Sequence, residues 1–145
     1  MNAYEEMKNR QQKEFDSFPL GAAFSKAQFK AMMEKWGLTV DDTDKIFSIG
    51  GGCYIRKTDK EALQDLMDRL NKEKQDAIAA DSTGDGFIFD MFLYELANHE
   101  YCITYNLEDT LDALGLTVEQ INSDKRLTRG LQKAIKVYLK NAKNY

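Results

Sequence analysis

The ten residues Phe87-Ile88-Phe89-Asp90-Met91-Phe92-Leu93-Tyr94-Glu95-Leu96 constrain this chain most. They are apolar on nearly every side of a helix, and such a helix has to be surrounded by protein. A strand would also be apolar throughout, but Met91, Leu93, Glu95, Leu96 and Ala97 favour a helix that continues to Asn98. The rest of the chain must therefore supply a jacket for 87–98. With 145 residues, 43% of them hydrophobic, a chain of this size buries roughly 70% of its unfolded surface and can build that jacket without disulfides or metals. One proline and 30% charged residues exclude collagen-like, low-complexity and disordered classes.

The jacket is legible in pieces. Residues 3–16 are helix formers with a thin apolar stripe of Tyr4, Met7 and Phe15, which reads as a peripheral helix or arm over 1–17. Ser17 to Gly21, with Pro19, breaks it. Ser25 and Gln28 form a capping-box pattern ahead of Phe29, Met32, Met33 and Trp36, one apolar helical face that Gly37 closes. Asp41 to Lys45 is a turn or short helix. Ile46 to Ile49 and Cys53 to Arg56, separated by Gly50-Gly51-Gly52, read as a β-hairpin over 46–56. Thr58 and Glu61 open a long helix over about 59–80 whose inner face is Leu63, Leu66, Met67, Leu70, Ala77 and Ile78. Tyr101 to Tyr105 is β-prone, a candidate third strand at 101–105. Asn106 and Asp109 cap a short helix ending at Gly115, Thr117 and Gln120 cap another, and Ser123 or Asp124 starts the last one. Leu127, Leu131, Ala134, Ile135 and Tyr138 face inward from it. The expected class is α+β, predominantly α, in a single domain over 1–145: about five helices around a central helix at 87–98, with a small antiparallel hairpin.

Gly37-Leu38-Thr39-Val40-Asp41-Asp42 matches Gly115-Leu116-Thr117-Val118-Glu119-Gln120. Capping chemistry alone demands a glycine stop, a buried leucine and a threonine start, so the echo reads as a shared device rather than a duplication.

Charge is distributed unevenly. Residues 1–74 hold thirteen basic and thirteen acidic side chains, residues 75–123 hold ten acids and no Lys or Arg, and residues 124–145 hold seven basic groups and one acid. The bland expectation is that the basic tail folds back on the acidic block. The sharper one is that a face stays open for a partner. The acidic candidates are Asp81, Asp85, Glu108, Asp109, Asp112 and Glu119. The basic candidates are Lys125, Arg126, Arg129, Lys133, Lys136 and Lys140, with Lys143 beyond them, spaced by three and four along the last helix.

Three weaker patterns remain. Asp81-Ser82-Thr83-Gly84-Asp85-Gly86 has the spacing of half a calcium loop at Asp81, Thr83 and Asp85. Position 12 is Phe92 rather than a bidentate glutamate, so a turn in which Thr83 or Asp85 caps the buried helix is favoured. Glu95 and His99 share a helical face with Cys102 nearby, too few ligands to close a zinc site; His99 fits better at a helix end, near free carbonyls. Cys53 follows a glycine triplet and would need His99, the only imidazole, as its base. The triplet fits neither a dinucleotide fingerprint nor a P-loop, and a hairpin turn is the simpler reading.

The stretches Phe18-Pro19-Leu20-Gly21 to Gly50-Gly51-Gly52-Cys53-Tyr54-Ile55, and Tyr94-Glu95-Leu96-Ala97-Asn98-His99-Glu100-Tyr101, resemble small uncharacterised proteins encoded on prophages and integrative mobile elements of gut Firmicutes. The resemblance runs over most of residues 18–140 and carries no site residue with it. It implies an accessory protein of a mobile element, of the kind that acts by binding.

The leading expectation is a non-catalytic interaction protein that docks through the acidic block 75–123 or the basic helix 124–143. A partner that itself binds nucleic acid would suit the acidic face. The alternatives are a nucleic-acid-binding regulator using the last helix, and a small Cys/His enzyme or metal protein built on Cys53, His99, Glu95 and the 81–86 loop. No cofactor is expected. The opening residues form no secretory leader and no apolar run approaches the ~20 residues of a membrane span, so the expected location is the cytoplasm, with no membrane partner.

Overall fold

In the computed structural model, which describes residues 2–142, the chain divides into two compact units. One is built from the chain up to Gln11 and from Lys72 onward, the other from Gln12–Asn71. Among the described residues there are eight α-helices and three strands: α1 (Ala3–Asp16), β1 (Gly21–Ala22), α2 (Lys26–Lys35), β2 (Ile46–Gly50), β3 (Cys53–Arg56), α3 (Lys60–Ala80), α4 (Phe87–Asn98), α5 (Tyr101–Thr104), α6 (Glu108–Leu114), α7 (Val118–Ser123) and α8 (Lys125–Ala142). The predominantly helical α+β class is as expected. The expected class placed about five helices around the central one; the short helices α6 and α7 fall where their caps put them, and α5 is the helix that was not expected.

In the helical unit α4 is the central element. Ile88, Met91, Phe92 and Leu96 are fully buried, and Tyr4, Ile78, Leu111, Leu114, Ile121, Leu127, Leu131 and Ala134 close around them. Its most extensive packing is against α8. Two glycines let the backbones approach. A Cβ on Gly130 would stand 2.6 Å from Ile88 Cγ2 and 2.8 Å from the Gly84 carbonyl oxygen, and one on Gly84 would stand 2.2 Å from the Arg126 carbonyl oxygen.

In the sheet unit the strand order is β1-β3-β2, all antiparallel. The 46–56 hairpin forms as read, with Phe47 opposite Ile55, Ser48 opposite Tyr54, and a bulge between Ser48 and Gly50. Ala23, Met32, Met33 and Ile46 are its buried core, with Phe29, Trp36, Leu38 and Tyr54 packed on them. The expected α2 face is thus the one that is used.

The third strand is a correction. It is not 101–105 but Gly21–Ala22, paired with Tyr54 and Cys53. Residues Tyr101–Thr104 instead make one helical turn between two left-handed residues, Glu100 (φ 52°) and Tyr105 (φ 51°). The β propensity of Tyr, Cys and Ile gives way to packing of Tyr101 on the α4–α8 core. A second correction concerns α3. Leu70 and Ile78 are buried and Leu63, Leu66 and Ala77 half-buried, but Met67 is 47% exposed.

The Gly37/Gly115 echo is a shared turn. In each case the glycine N–H bonds three residues back, to Glu34 or Asp112, and the following leucine N–H bonds five back, to Met33 or Leu111. This is the left-handed helix stop that glycine favours. Thr117 and Gln120 then complete a reciprocal capping box, and Thr39 takes its partner from Asp42.

Candidate functional site

A carboxylate sits inside the apolar core. Glu95 is fully buried on α4. Its Oε1 accepts from the Tyr4 hydroxyl at 3.0 Å and from Lys8 Nζ at 2.9 Å, and its Oε2 lies 3.1 Å from His99 Nε2. Burial pushes the Glu95 carboxyl up, but the Lys8 ammonium and the Tyr4 and Asn98 side chains outweigh it and hold it below its ordinary value. Burial, then Glu95 itself, pushes the Tyr4 hydroxyl far up. Burial also lowers Lys74, which donates to the Leu114 carbonyl at 3.1 Å. The Glu95–His99 pairing on one helical face was legible in the sequence. The Tyr4 and Lys8 partners were missed; the signal was a carboxylate between Phe92 and Leu96, which demands a countercharge from elsewhere.

His99 ends α4, its backbone N–H bonding the Glu95 carbonyl at 3.0 Å. Cys102 does not join the pair; its Sγ accepts from the Tyr138 hydroxyl at 3.1 Å. Cys53 belongs to the sheet unit and His99 to the helical unit. Among the described residues no group of three or more His, Cys, Asp or Glu side chains is arranged to hold a metal ion.

The 81–86 loop is organised from within. Asp81 Oδ1 accepts from the backbone N–H of Gly84 at 3.0 Å and Thr83 at 3.3 Å, and Oδ2 from Gly86 and Ile88 at 3.0 Å each. Burial pushes the Asp81 carboxyl up, and these four donors outweigh it and leave it below its ordinary value. The cap of α4 is therefore Asp81, not Thr83 or Asp85, and its oxygens already face donors rather than a cation site. Asp85 turns the other way. Arg129 grips it with Nε at 3.0 Å and Nη2 at 2.9 Å, and Lys133 Nζ stands 3.7 Å away.

The basic stripe is thus partly consumed. Arg126 Nη1 donates to the carbonyls of Ile78 at 3.0 Å and Asp81 at 2.8 Å, where α3 ends, while Nη2 pairs with Asp124 at 2.9 Å. Arg129 and Lys133 hold Asp85, and Lys133 also lies over the Phe89 ring. Lys125, Lys136 and Lys140 are exposed and enter no ion pair among the described residues. Lys143 lies outside the described residues.

The acidic set divides in the same way. Asp81 and Asp85 are occupied. Glu108, Asp109 and Asp112 on α6 and Glu119 on α7 are exposed and enter no ion pair among the described residues. Glu108, Asp109 and Glu119 lie in first turns, where carboxylates suit the helix dipole; Asp112 does not. Between α6 and α7 runs a cleft of about 400 Å³ lined by Leu107, Leu111, Leu116 and Val118 together with Glu108 and Asp112. Val118 is 61% exposed, and farther along the unit so are Ile103 (71%) and Tyr105 (68%). These exposed apolar side chains were not foreseen. The signal for Val118 was its place directly after the Thr117 cap, which leaves Ile121, three residues on, as the buried member of the turn.

The fold and these sites define a predominantly helical α+β protein in which some charged side chains are spent on structure and others, acidic on α6 and α7 and basic on α8, enter no ion pair among the described residues. No helix among the described residues is long and apolar enough to cross a membrane. The chain belongs to the DUF7659 family, a family of unknown function, which matches residues 3–137. No curated protein and no solved structure matches it.

Proposed function

We propose that this protein is a non-catalytic interaction protein that docks a partner through the acidic surface of α6 and α7. The observation that carries this reading is the division of charge. Arg126, Arg129 and Lys133 are engaged within the fold, leaving Lys125, Lys136 and Lys140 of that stripe open, whereas Glu108, Asp109, Asp112 and Glu119 enter no ion pair among the described residues and two of them border an apolar cleft. Exposed carboxylates next to exposed apolar side chains suit a basic protein surface, including one that otherwise binds nucleic acid phosphates. On the resemblance described above, the setting is the cytoplasm of a cell carrying a prophage or integrative element, where the protein acts as an accessory factor. A nucleic-acid-binding role for α8 is less favoured, because the guanidinium groups suited to gripping phosphate are already gripping Asp124 and Asp85.

The test is affinity capture from the host lysate, with nuclease, at low and moderate salt. It compares the native chain with Asp112→Lys/Glu119→Lys and with Lys136→Glu/Lys140→Glu. The reading expects a nuclease-resistant protein that is lost in the first variant and at higher salt, and kept in the second. Loss only in the second variant, or recovery of nucleic acid alone, overturns it in favour of α8.

A further inference from the structure

We infer that the cleft between α6 and α7 seats an amphipathic basic helix of a partner protein, one large apolar side chain entering the cleft and Lys or Arg side chains meeting its rim. This rests on the docking reading above and names the occupant. Four of the residues lining the cleft are apolar, Leu107, Leu111, Leu116 and Val118; of these Leu111 is buried and Val118 exposed. At about 400 Å³ it lies at the small end of the ~300–1,000 Å³ usual for ligand clefts. That suits a side chain or two.

Both walls are fixed in advance. The Leu116 N–H bonds the Leu111 carbonyl at 3.0 Å, which sets the turn out of α6. The Thr117–Gln120 capping box, at 2.9 and 3.1 Å, sets the start of α7. A preformed cleft loses little ordering entropy on binding.

Charge selects the occupant. Glu108 and Asp112 are four residues apart on α6, so they stand on the same side of the helix. Neither enters an ion pair among the described residues, and Lys74, which the fold brings to α6, is turned to the Leu114 carbonyl at its far end. Cations three or four residues apart on a partner helix would match that spacing, and the apolar side chain between them would face the cleft. A nucleic acid or an anionic membrane would be repelled by the same carboxylates.

The probe is a fluorescein-labelled helical peptide of Leu and Lys with all its leucines on one face, titrated by anisotropy into the full chain. Its control is an isomer of identical composition with the leucines dispersed. The facial peptide is expected to bind about tenfold tighter, a difference of about 1.4 kcal/mol. Val118→Lys and Asp112→Lys, both at exposed positions and each verified as folded by circular dichroism, should reduce it to the level of the control. Lys136→Glu should leave it unchanged. Equal binding of the two peptides overturns the cleft inference while leaving acidic-surface docking in place. Failure of both peptides at low salt overturns both. Sedimentation that shows the chain self-associating, with Val118→Lys abolishing it, also overturns the inference, because the occupant would then be a second copy.

Discussion

The Tyr4 hydroxyl donates to Glu95 Oε1 at 3.0 Å across 91 positions of sequence, and Lys8 Nζ reaches the same oxygen at 2.9 Å. The first turns of α1 thereby supply a donor and a countercharge to the only fully buried carboxylate among the described residues. Breaking a buried pair from one side leaves the charge uncompensated. Tyr4→Phe is expected to destabilise by about 1.5–3 kcal/mol, the range for a hydrogen bond to a charged group. Lys8→Met should cost about 1–3 kcal/mol, less than a fully buried pair because the lysine is half-exposed. Glu95→Gln combined with Lys8→Met should recover part of that loss, since it removes the orphaned charge. Urea denaturation of the four proteins measures all three effects; a Lys8→Met variant as stable as the native chain would refute this role for the pair.

The same carboxylate predicts how stability responds to acid. Glu95 and Asp81 are both held below their ordinary values of 4.5 and 3.8 in the folded chain. A group depressed in this way contributes stability that is fully present above its unfolded value and is lost as pH falls through its folded one. Stability should therefore be flat with respect to these two groups near neutral pH and decline as pH drops below about 4.5. Urea midpoints across that window should fall less steeply for Glu95→Gln than for the native chain. An identical slope would show that the carboxylate titrates as an exposed one does.

Asp81 bonds four backbone N–H groups, so its loss uncaps both the loop and α4. Asp81→Ala should destabilise by about 1–2 kcal/mol, at the upper part of the usual capping range. Asp81→Asn should lose less, because one oxygen can still accept. Calcium should not raise the thermal midpoint of the native chain, since both Asp81 oxygens are already engaged and Asp85 is held by Arg129. A calcium-dependent rise that Asp81→Asn abolishes would reverse this assignment of the loop.

What the sequence disclosed follows from how local each signal is. The α4 helix was legible because ten nearly continuous apolar residues leave one environment open to them. The turns at Gly37 and Gly115 were legible because a left-handed stop and a threonine start are set by a few adjacent residues. The strand Gly21–Ala22 was not, since two small residues carry no strand propensity and are recruited by pairing with Tyr54 and Cys53. A Cβ on Gly21 would stand 2.5 Å from Met32 Sδ, so the fit of α2 decides the position. Tyr101–Thr104 misled for the converse reason: its propensity is local, but packing on Tyr138 decides its shape. The charge desert of 75–123 was visible from composition alone. Which acids are spent was not, because that depends on the line α8 takes past the 81–86 loop, where Arg129 meets Asp85 and Arg126 meets the end of α3.

That line depends on Gly130. Alanine there would gain about 1 kcal/mol of helix propensity. Its Cβ, however, would lie 2.6 Å from Ile88 Cγ2 and 2.8 Å from the Gly84 carbonyl oxygen. The first neighbour belongs to a fully buried side chain and the second to backbone held by the Asp81 cap, so neither can yield cheaply. Relief would require α8 to move away from α4 along their most extensive contact. Overpacking of this kind costs about 1–3 kcal/mol, occasionally more, so the net effect of Gly130→Ala should be a loss of up to about 2 kcal/mol, read as a lowered urea midpoint with an unchanged slope. The displacement should also loosen the Arg129–Asp85 grip, exposing the 81–86 amides to faster hydrogen exchange. A variant more stable than the native chain would mean that α8 does not approach α4 as closely as these distances require.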